Sequence, residues 1–475
     1  MQTKLLINGS FTDAADGATL EVEDPATGDI ITEVAAGGRA DVVEAVARAH
    51  VAQQSWARVA PRERGELLRR TWQLMEDHAD ELARLITLEN GKPLADSHAE
   101  VAYAAEFFRW NAEEAVRIRG ELGHAPGGDK RIIVQHLPVG VVAMITPWNF
   151  PAAMATRKLA PALAAGNAVV MKPPSQTPLT ALRIGELLLE AGLPDGLFNV
   201  VPTSDSGSWY ETCVAQQPVR MLSFTGSTEV GRKLLKGAAD RVLKTVMELG
   251  GNAPFVVFDD ADVEAAVEGA MQAKMRHSAE TCTAANRFYV QQGVVEAFTE
   301  GLSDAMSRVV VGEGTKEGVT CGPMINRDAV GSLTSLVADA VEEGATVEVG
   351  GSPAVGPGHF FQPTVLSGVD HASAISRTEI FGPVAPIIPF TETDAVVAQA
   401  NDTELGLTAY VFTRDLGRGL AVAERLQAGM VGLNKGLVSD PAAPFGGMKQ
   451  SGLGREGSHV GIYEFTETQY IAASW

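Results

Sequence analysis

Apolar and polar positions change rhythm twice along the chain. The first forty residues alternate around "DPATGD", which predicts a strand, a turn and another strand. From "ADVVEAVARAHVAQQSW" through "PRERGELLRRTWQLMEDHADELARLITLENG", apolar residues recur three and four apart. That spacing predicts two or three amphipathic helices, with Gly91 as the stop. From about Val139 short β-rich runs alternate with helical stretches: "NAVVMKP" then "TALRIGELLLEAG", "LFNVV", and "RMLSFTG" then "TEVGRKLLKGAAD". This order predicts a parallel sheet with helices on both faces, where ligands collect at the carboxyl ends of the strands. A second α/β cycle begins near "NAPFVVFDDADVEAAVEGAMQAKMR" and continues past "NRFYVQ", so the two glycines of "ELGGN" put a domain border close to Leu249. "KRIIVQHLP" and "YEFTETQYIAASW" read as extra strands far apart in sequence. There is no internal repeat or biased tract.

With 475 residues the chain is too long for one core, and two or three domains are expected. An apolar fraction of 45% and 49 glycines suit a globular enzyme with many tight connections, not a disordered or fibrous chain. A net charge of −21 makes nucleic acid and anionic membrane unfavourable partners, because binding there depends on cations displacing counterions. The only cysteines are Cys213, Cys282 and Cys321, with no C-x-x-C, which argues against a disulfide framework or a metal site and for a reducing compartment. "MQTKLLINGSF" lacks the pattern of a secretion signal, and runs such as "VGVVAMI" fall short of the roughly 20 apolar residues of a membrane-spanning helix. A cytoplasmic protein is expected.

Two glycine motifs need separating. "GLGREG", Gly452–Gly457, fits G-x-G-x-x-G, but fewer than twenty residues follow it. No βαβ unit can be completed there, so it reads as a loop. "FTGSTEVG", Phe224–Gly231, follows an apolar run and opens a helical stretch. It suits either a simple strand-to-helix turn or a diphosphate site at a helix start.

Cys282 in "SAETCTAANR" also has two readings, a small buried apolar residue or a nucleophile. Glu248 closes the apolar run "VMELGG", where burial would raise its pKa toward that of a base near neutrality. Asn149 stands between Pro147 and Pro151 in "TPWNFP", which presents one amide rigidly. Thiol, carboxylate and fixed amide are the parts needed for attack on an aldehyde carbon: nucleophile, water activator and oxyanion support.

At these residues the chain resembles the aldehyde dehydrogenase superfamily over essentially its whole length. "TPWNFP", "VVMKPPSQTP", "FTGSTEVG", "MELGGN", "ETCTAANR", "EIFGPV" and "PFGGMKQSGLGREG" occur in the family's order. The resemblance implies an α/β fold in three parts. These are a Rossmann-like cofactor domain (1–120 and 140–248), an α/β catalytic domain (249–440), and a small β oligomerisation domain (121–139 and 458–475) that makes a homodimer or homotetramer. It implies Cys282 as nucleophile, Asn149 as oxyanion donor, Glu248 as general base, and Thr146, Pro147, Trp148, Lys172, Ser175, Gly226, Ser227, Leu249, Glu379 and Phe381 as cofactor contacts. In the implied chemistry the thiolate adds to a small-molecule aldehyde, hydride passes to the nicotinamide to leave a thioester, and Glu248 activates water to release the acid.

Three departures refine the expectation. Glu280 stands where many relatives have glutamine, and its charge would disfavour a thiolate unless it points away or is paired. Ala284 stands where some relatives carry a second cysteine, so no reversible disulfide is expected. Ser175 replaces a common glutamate, which removes a repulsion toward a 2′-phosphate beside Lys172, so NADP is expected to be used, with NAD still accepted. The chain resembles succinate-semialdehyde dehydrogenases in particular, and this implies Arg157, Arg276 and Ser439 as holders of the substrate's far carboxylate. Asp440 would oppose such an anion if it faced the pocket, which leaves glutarate semialdehyde, uncharged aldehydes and aminoaldehydes open. A cysteine hydrolase using His277, or a non-catalytic binding role, are the rival classes.

Overall fold

Strands Val141–Ile145, Ala168–Lys172 and Phe198–Val200 run in parallel to one side of the first sheet, and Val219–Thr225 and Lys244–Glu248 continue it on the other. The chain therefore reverses its direction of growth between Val141–Ile145 and Val219–Thr225. In open parallel sheets a crevice for ligands forms at such a reversal. The residues that leave the two strands there are Thr146–Asn149 and Gly226–Ser227. The computed structural model describes residues Met1–Trp475.

A second sheet follows in the order Thr346–Val349, Thr364–Ser367, Val384–Phe390, Ala285–Gln291, Ala253–Val257, Thr408–Phe412, Met430–Leu433. All its pairings are parallel except the first. Its central strands are buried on both faces, and their side chains alternate between two cores. Val256, Tyr289 and Ile388 enter one, while Phe255, Phe288 and Ile387 enter the other. A third, antiparallel sheet joins Glu121–His124, Arg131–Pro138 and Thr466–Ala473. The extra strands seen in the sequence thus meet across more than three hundred residues of chain. Ile462 and Phe465 pack into the core of the first sheet, so the outlying strand begins only at Thr466.

The amino-terminal strands differ in number from the sequence expectation. Four strands replace two: Leu5–Ile7 with Ser10–Thr12, and Thr19–Glu23 with Ile30–Ala35 around the "DPATGD" turn. The first hairpin turns on Asn8 and Gly9, both left-handed (φ 53° and 74°), the arrangement that Asn-Gly favours. Its strands are three residues long, too short for an alternation to register. The helical stretch ending at Gly91 holds three helices, Arg39–Trp56, Pro61–Asp77 and Ala79–Asn90, as its spacing predicts, and a fourth, Leu94–Glu114, follows it. The second and third are split by His78 alone (φ −106°, ψ 20°), with no glycine or proline to mark the break. Gly91 does end a helix. At φ 88° its N–H donates to the Thr87 carbonyl (2.8 Å), and a Cβ there would lie 2.5 Å from Pro323.

"SGLGREG" is no fingerprint loop. Gly452–Leu453 form a short antiparallel edge on Met247–Glu248, and the only helical element after them is a 3₁₀ turn, Gly461–Phe465. No helix is long and apolar enough to cross a membrane.

Candidate active site

One cavity at the crevice of the first sheet gathers most of the residues singled out in the sequence. Its wall includes Pro147, Trp148, Asn149, Arg157, Gly226, Ser227, Leu249, Arg276, Cys282, Glu379, Phe381 and Ser439. Thr146, Lys172, Ser175 and Glu248 are not part of that wall.

Asn149 is held from two sides. Buried Lys92 donates to the Asn149 carbonyl (2.9 Å) and pairs with buried Glu100, whose other oxygen accepts the Ala152 and Ala153 amides (2.9 and 3.1 Å) at the start of helix Ala153–Ala164. The Asn149 side-chain NH₂ donates one hydrogen to the Glu280 carbonyl (2.8 Å). Because only the nitrogen can donate there, the amide orientation is determined, and its second N–H stays uncommitted at the cavity wall.

Cys282 lies in the turn between Arg276–Ala279 and strand Ala285–Gln291. Three consecutive residues just before that turn, His277, Ser278 and Ala279, are left-handed (φ 54°, 51° and 67°), a conformation non-glycine residues rarely adopt. Gly251 of "ELGG" lets the first sheet approach it, since a Cβ there would stand 2.2 Å from the Cys282 carbonyl oxygen. The sulfur keeps an opening to the cavity, but burial pushes the thiol up to about 12, opposed by the positive charge of Arg157 and reinforced by Glu379 and Glu248.

Glu280 does not face this thiol. Its carboxyl accepts the Ile325 amide (3.0 Å), and burial pushes it up to about 8, so at neutral pH it is mostly uncharged. Asp440 is exposed and accepts the Ala442 amide (2.8 Å), away from the cavity. His277 forms no thiol–imidazole pair. Its ring is buried edge-on against Phe150, neither ring nitrogen has a partner, and burial holds its pKa well below the usual value.

Glu248 ends strand Lys244–Glu248 with both carboxyl oxygens buried and unpartnered. Burial holds its pKa well above the usual range, as does the charge of Glu456, against Lys158, Arg157 and Arg455. Unpaired buried carboxyls are rare in a merely structural role.

Both arginines line the cavity. Arg157 stacks on Phe445 (4.0 Å from the ring centre), its Nε lies 3.3 Å from buried Glu456, and its Nη1 is buried with no partner. Arg276 lies over the rings of Phe150 (5.1 Å) and Tyr103 (5.8 Å). Two guanidinium groups thus stand on one cavity wall inside an acidic protein.

On the other side, Ser227 caps helix Thr228–Ala239 by accepting the Val230 amide (3.3 Å). Trp148 meets Phe381 edge-on at 5.6 Å. Glu379 accepts the Gly251 amide (3.0 Å), and burial pushes it up to about 7. Lys172 donates only to the Pro173 carbonyl (3.1 Å), and burial lowers it to about 8. The Ser175 hydroxyl donates to the Gln176 side chain (3.1 Å). The hydroxyls of Thr146 and Thr225 are buried without partners. No cluster of histidine, cysteine, aspartate or glutamate is suited to a metal ion.

The aldehyde dehydrogenase family profile matches residues 11–471. The chain belongs to the aldehyde dehydrogenase family. It is similar to the NADP(+) succinate-semialdehyde dehydrogenase of Escherichia coli, 49% identical over 466 residues that cover 98% of this chain and 96% of that one. The glutarate-semialdehyde dehydrogenase of Pseudomonas aeruginosa is equally similar, 49% identical with 98% and 96% covered. A solved succinate-semialdehyde dehydrogenase from Burkholderia pseudomallei superposes with a TM-score of 0.98 at 47% identity, covering 100% of this chain and 98% of its own.

In this aldehyde dehydrogenase the cavity also recruits residues that the sequence did not single out. Phe150 carried a signal, since it sits inside "TPWNFP". So did Phe445, inside "PFGGMKQSGLGREG", whereas Tyr103 and Met154 carried none, because each stands on a helix whose apolar positions otherwise read as packing.

Proposed function

We propose that this aldehyde dehydrogenase oxidises succinate semialdehyde to succinate with NADP as the hydride acceptor, NAD serving less well, through a thioester on Cys282. The observation that carries the substrate is the pair of cationic side chains, Arg157 with an unpartnered nitrogen and Arg276 without an acid partner, on the same cavity wall as the thiol. A distal carboxylate placed between them is bound by charge-assisted hydrogen bonds, with the Ser439 hydroxyl as a further donor. Glutarate semialdehyde, one methylene longer, is the second reading, and the equally similar P. aeruginosa relative favours it.

Sγ of Cys282 adds to the aldehyde carbon as the thiol proton passes to water, a loss that the charge of Arg157 favours. The resulting oxyanion is stabilised by the free N–H of Asn149 and the Cys282 amide. NADP, when bound, would supply the hydride acceptor for oxidising the Cys282 adduct to a thioester. Glu248 then takes a proton from water as the water oxygen attacks the thioester, the C–S bond breaks and the acid leaves.

The coenzyme cleft has the features a dinucleotide requires: the amides at the Ser227 helix start, the unpartnered hydroxyls of Thr146 and Thr225, and the aromatic wall of Trp148 and Phe381. Lys172 and Ser175 supply a cation and a neutral neighbour for a 2′-phosphate. Ser175→Glu should lower the ratio of kcat/KM for NADP over NAD by about tenfold or more, since a carboxylate repels the phosphate and accepts from ribose hydroxyls. An unchanged coenzyme ratio would reject this assignment.

We further assign 1–120 and 140–248 to coenzyme binding, 249–440 to the unit bearing the nucleophile, and the third sheet to oligomerisation. That sheet exposes Leu122, Tyr470 and Ile471, with Trp475 just beyond it, an apolar surface that suits a homodimer or homotetramer. Three free thiols suit the cytoplasm.

The substrate reading is tested by initial rates on succinate semialdehyde, glutarate semialdehyde, an aminoaldehyde and butanal, each with NADP and NAD. The two dicarboxylic semialdehydes should exceed butanal in kcat/KM by about a hundredfold, the worth of a bound carboxylate. Butanal matching them would remove the arginine clamp.

A further inference from the structure

Tyr103 stands on helix Leu94–Glu114 and lines the same cavity as Cys282, Arg157 and Arg276. Its ring is fixed edge-on against Phe107 (4.9 Å, 69°), and the Arg276 guanidinium covers it at 5.8 Å. The hydroxyl is buried and has no hydrogen-bond partner. Burying a phenol for packing alone is poor economy of structure, because phenylalanine fills the same space without an orphaned polar atom.

What the hydroxyl lacks is an acceptor. The charged groups around it are first of all Arg157 and Arg276, which can only donate. A neutral ligand group leaves that deficit as it is, whereas an anion drawn between the two guanidinium groups brings acceptor oxygens to the phenol. We propose that Tyr103 is a further substrate-binding residue of this enzyme, its hydroxyl donating to the distal carboxylate that Arg157 and Arg276 hold. The proposal rests on the carboxylate reading of the substrate and adds to it a neutral donor that discriminates for an anion in a fixed position. The arginines supply attraction at a distance. The phenol, with its ring immobilised by Phe107, supplies direction.

The test is Tyr103→Phe, which keeps the ring and removes only the donor. The ratio of kcat/KM for succinate semialdehyde over butanal should fall by about tenfold or more, mainly through a higher KM for the semialdehyde, with kcat and the KM for NADP nearly kept. The inhibition constant of succinate against butanal oxidation should rise by a similar factor, a readout that a change in chemistry or a partly unfolded sample does not mimic. If the wild-type enzyme shows no preference for the semialdehyde over butanal, the carboxylate reading and this proposal fall together. If the wild type shows the preference and the variant retains both the ratio and the succinate inhibition constant, Tyr103 alone is overturned and is only a wall of the cavity.

Discussion

Cys282→Ala should lower aldehyde-dependent coenzyme reduction by about 10⁴-fold or more, because no other group on the cavity wall can form the covalent intermediate. The other thiols are remote from the reaction. Cys213 and Cys321 are fully buried, and neither lines the cavity. In the proposed mechanism Asn149 supports the same step from outside the bond being made, and losing one such donor costs on the order of 10²- to 10³-fold, so the nucleophile variant should be the more severe. The variant should still bind NADP, since the residues assigned to the coenzyme are untouched. Two measurements check this: the rate of coenzyme reduction, and mass spectrometry of enzyme quenched with substrate, where the wild type carries an acyl group on Cys282 and the variant none. Coenzyme reduction persisting in Cys282→Ala would end the thioester mechanism.

Glu248→Gln should separate the two halves of the reaction. Thioester formation precedes the step that needs a base, so a burst of about one coenzyme per active subunit should remain. Turnover after it should slow by about 10²- to 10⁴-fold, the usual range for a general base. The wild-type enzyme should show a rising acid limb in its pH profile. Burial, with the charge of Glu456, holds the pKa of Glu248 well above that of an ordinary carboxyl. Below that raised pKa the group is protonated and cannot accept a proton from water, so deacylation rises with pH until Glu248 ionises and then levels. Glutamine should abolish that limb along with the rate. A variant that keeps full steady-state turnover would move the base to another residue, and this matters because Glu248 does not reach the cavity wall in this structure.

The asymmetry between these residues and Tyr103 follows from how side chains are recognised in one dimension. Cys282, Asn149 and Glu248 each sit in a run whose local composition is unusual: small residues around a thiol, two prolines around an amide, two glycines after a carboxylate. The backbone chemistry of those runs explains itself once the fold is known, as when Gly251 admits the Cys282 carbonyl at a distance no side chain would allow. Tyr103 looks like an ordinary core residue until Arg157 and Arg276 are brought beside it from other elements.

The same division holds for the fold. Fully apolar runs such as Val141–Ile145 and Ala253–Val257 declare strands buried on both faces, because a parallel sheet needs helices over each side. Gly91 declares a helix end, because only glycine accepts that conformation between Pro323 and Pro25. Such effects act within a few residues and are therefore written in the order of the amino acids. The single-residue break at His78, the turning of Glu280 toward Ile325, the contact of Arg157 with Glu456 and the raised pKa of Glu248 depend on groups far away along the chain. Burial and charge are summed over three-dimensional neighbours, so folding alone converts an unremarkable carboxyl or phenol into a working part of the site.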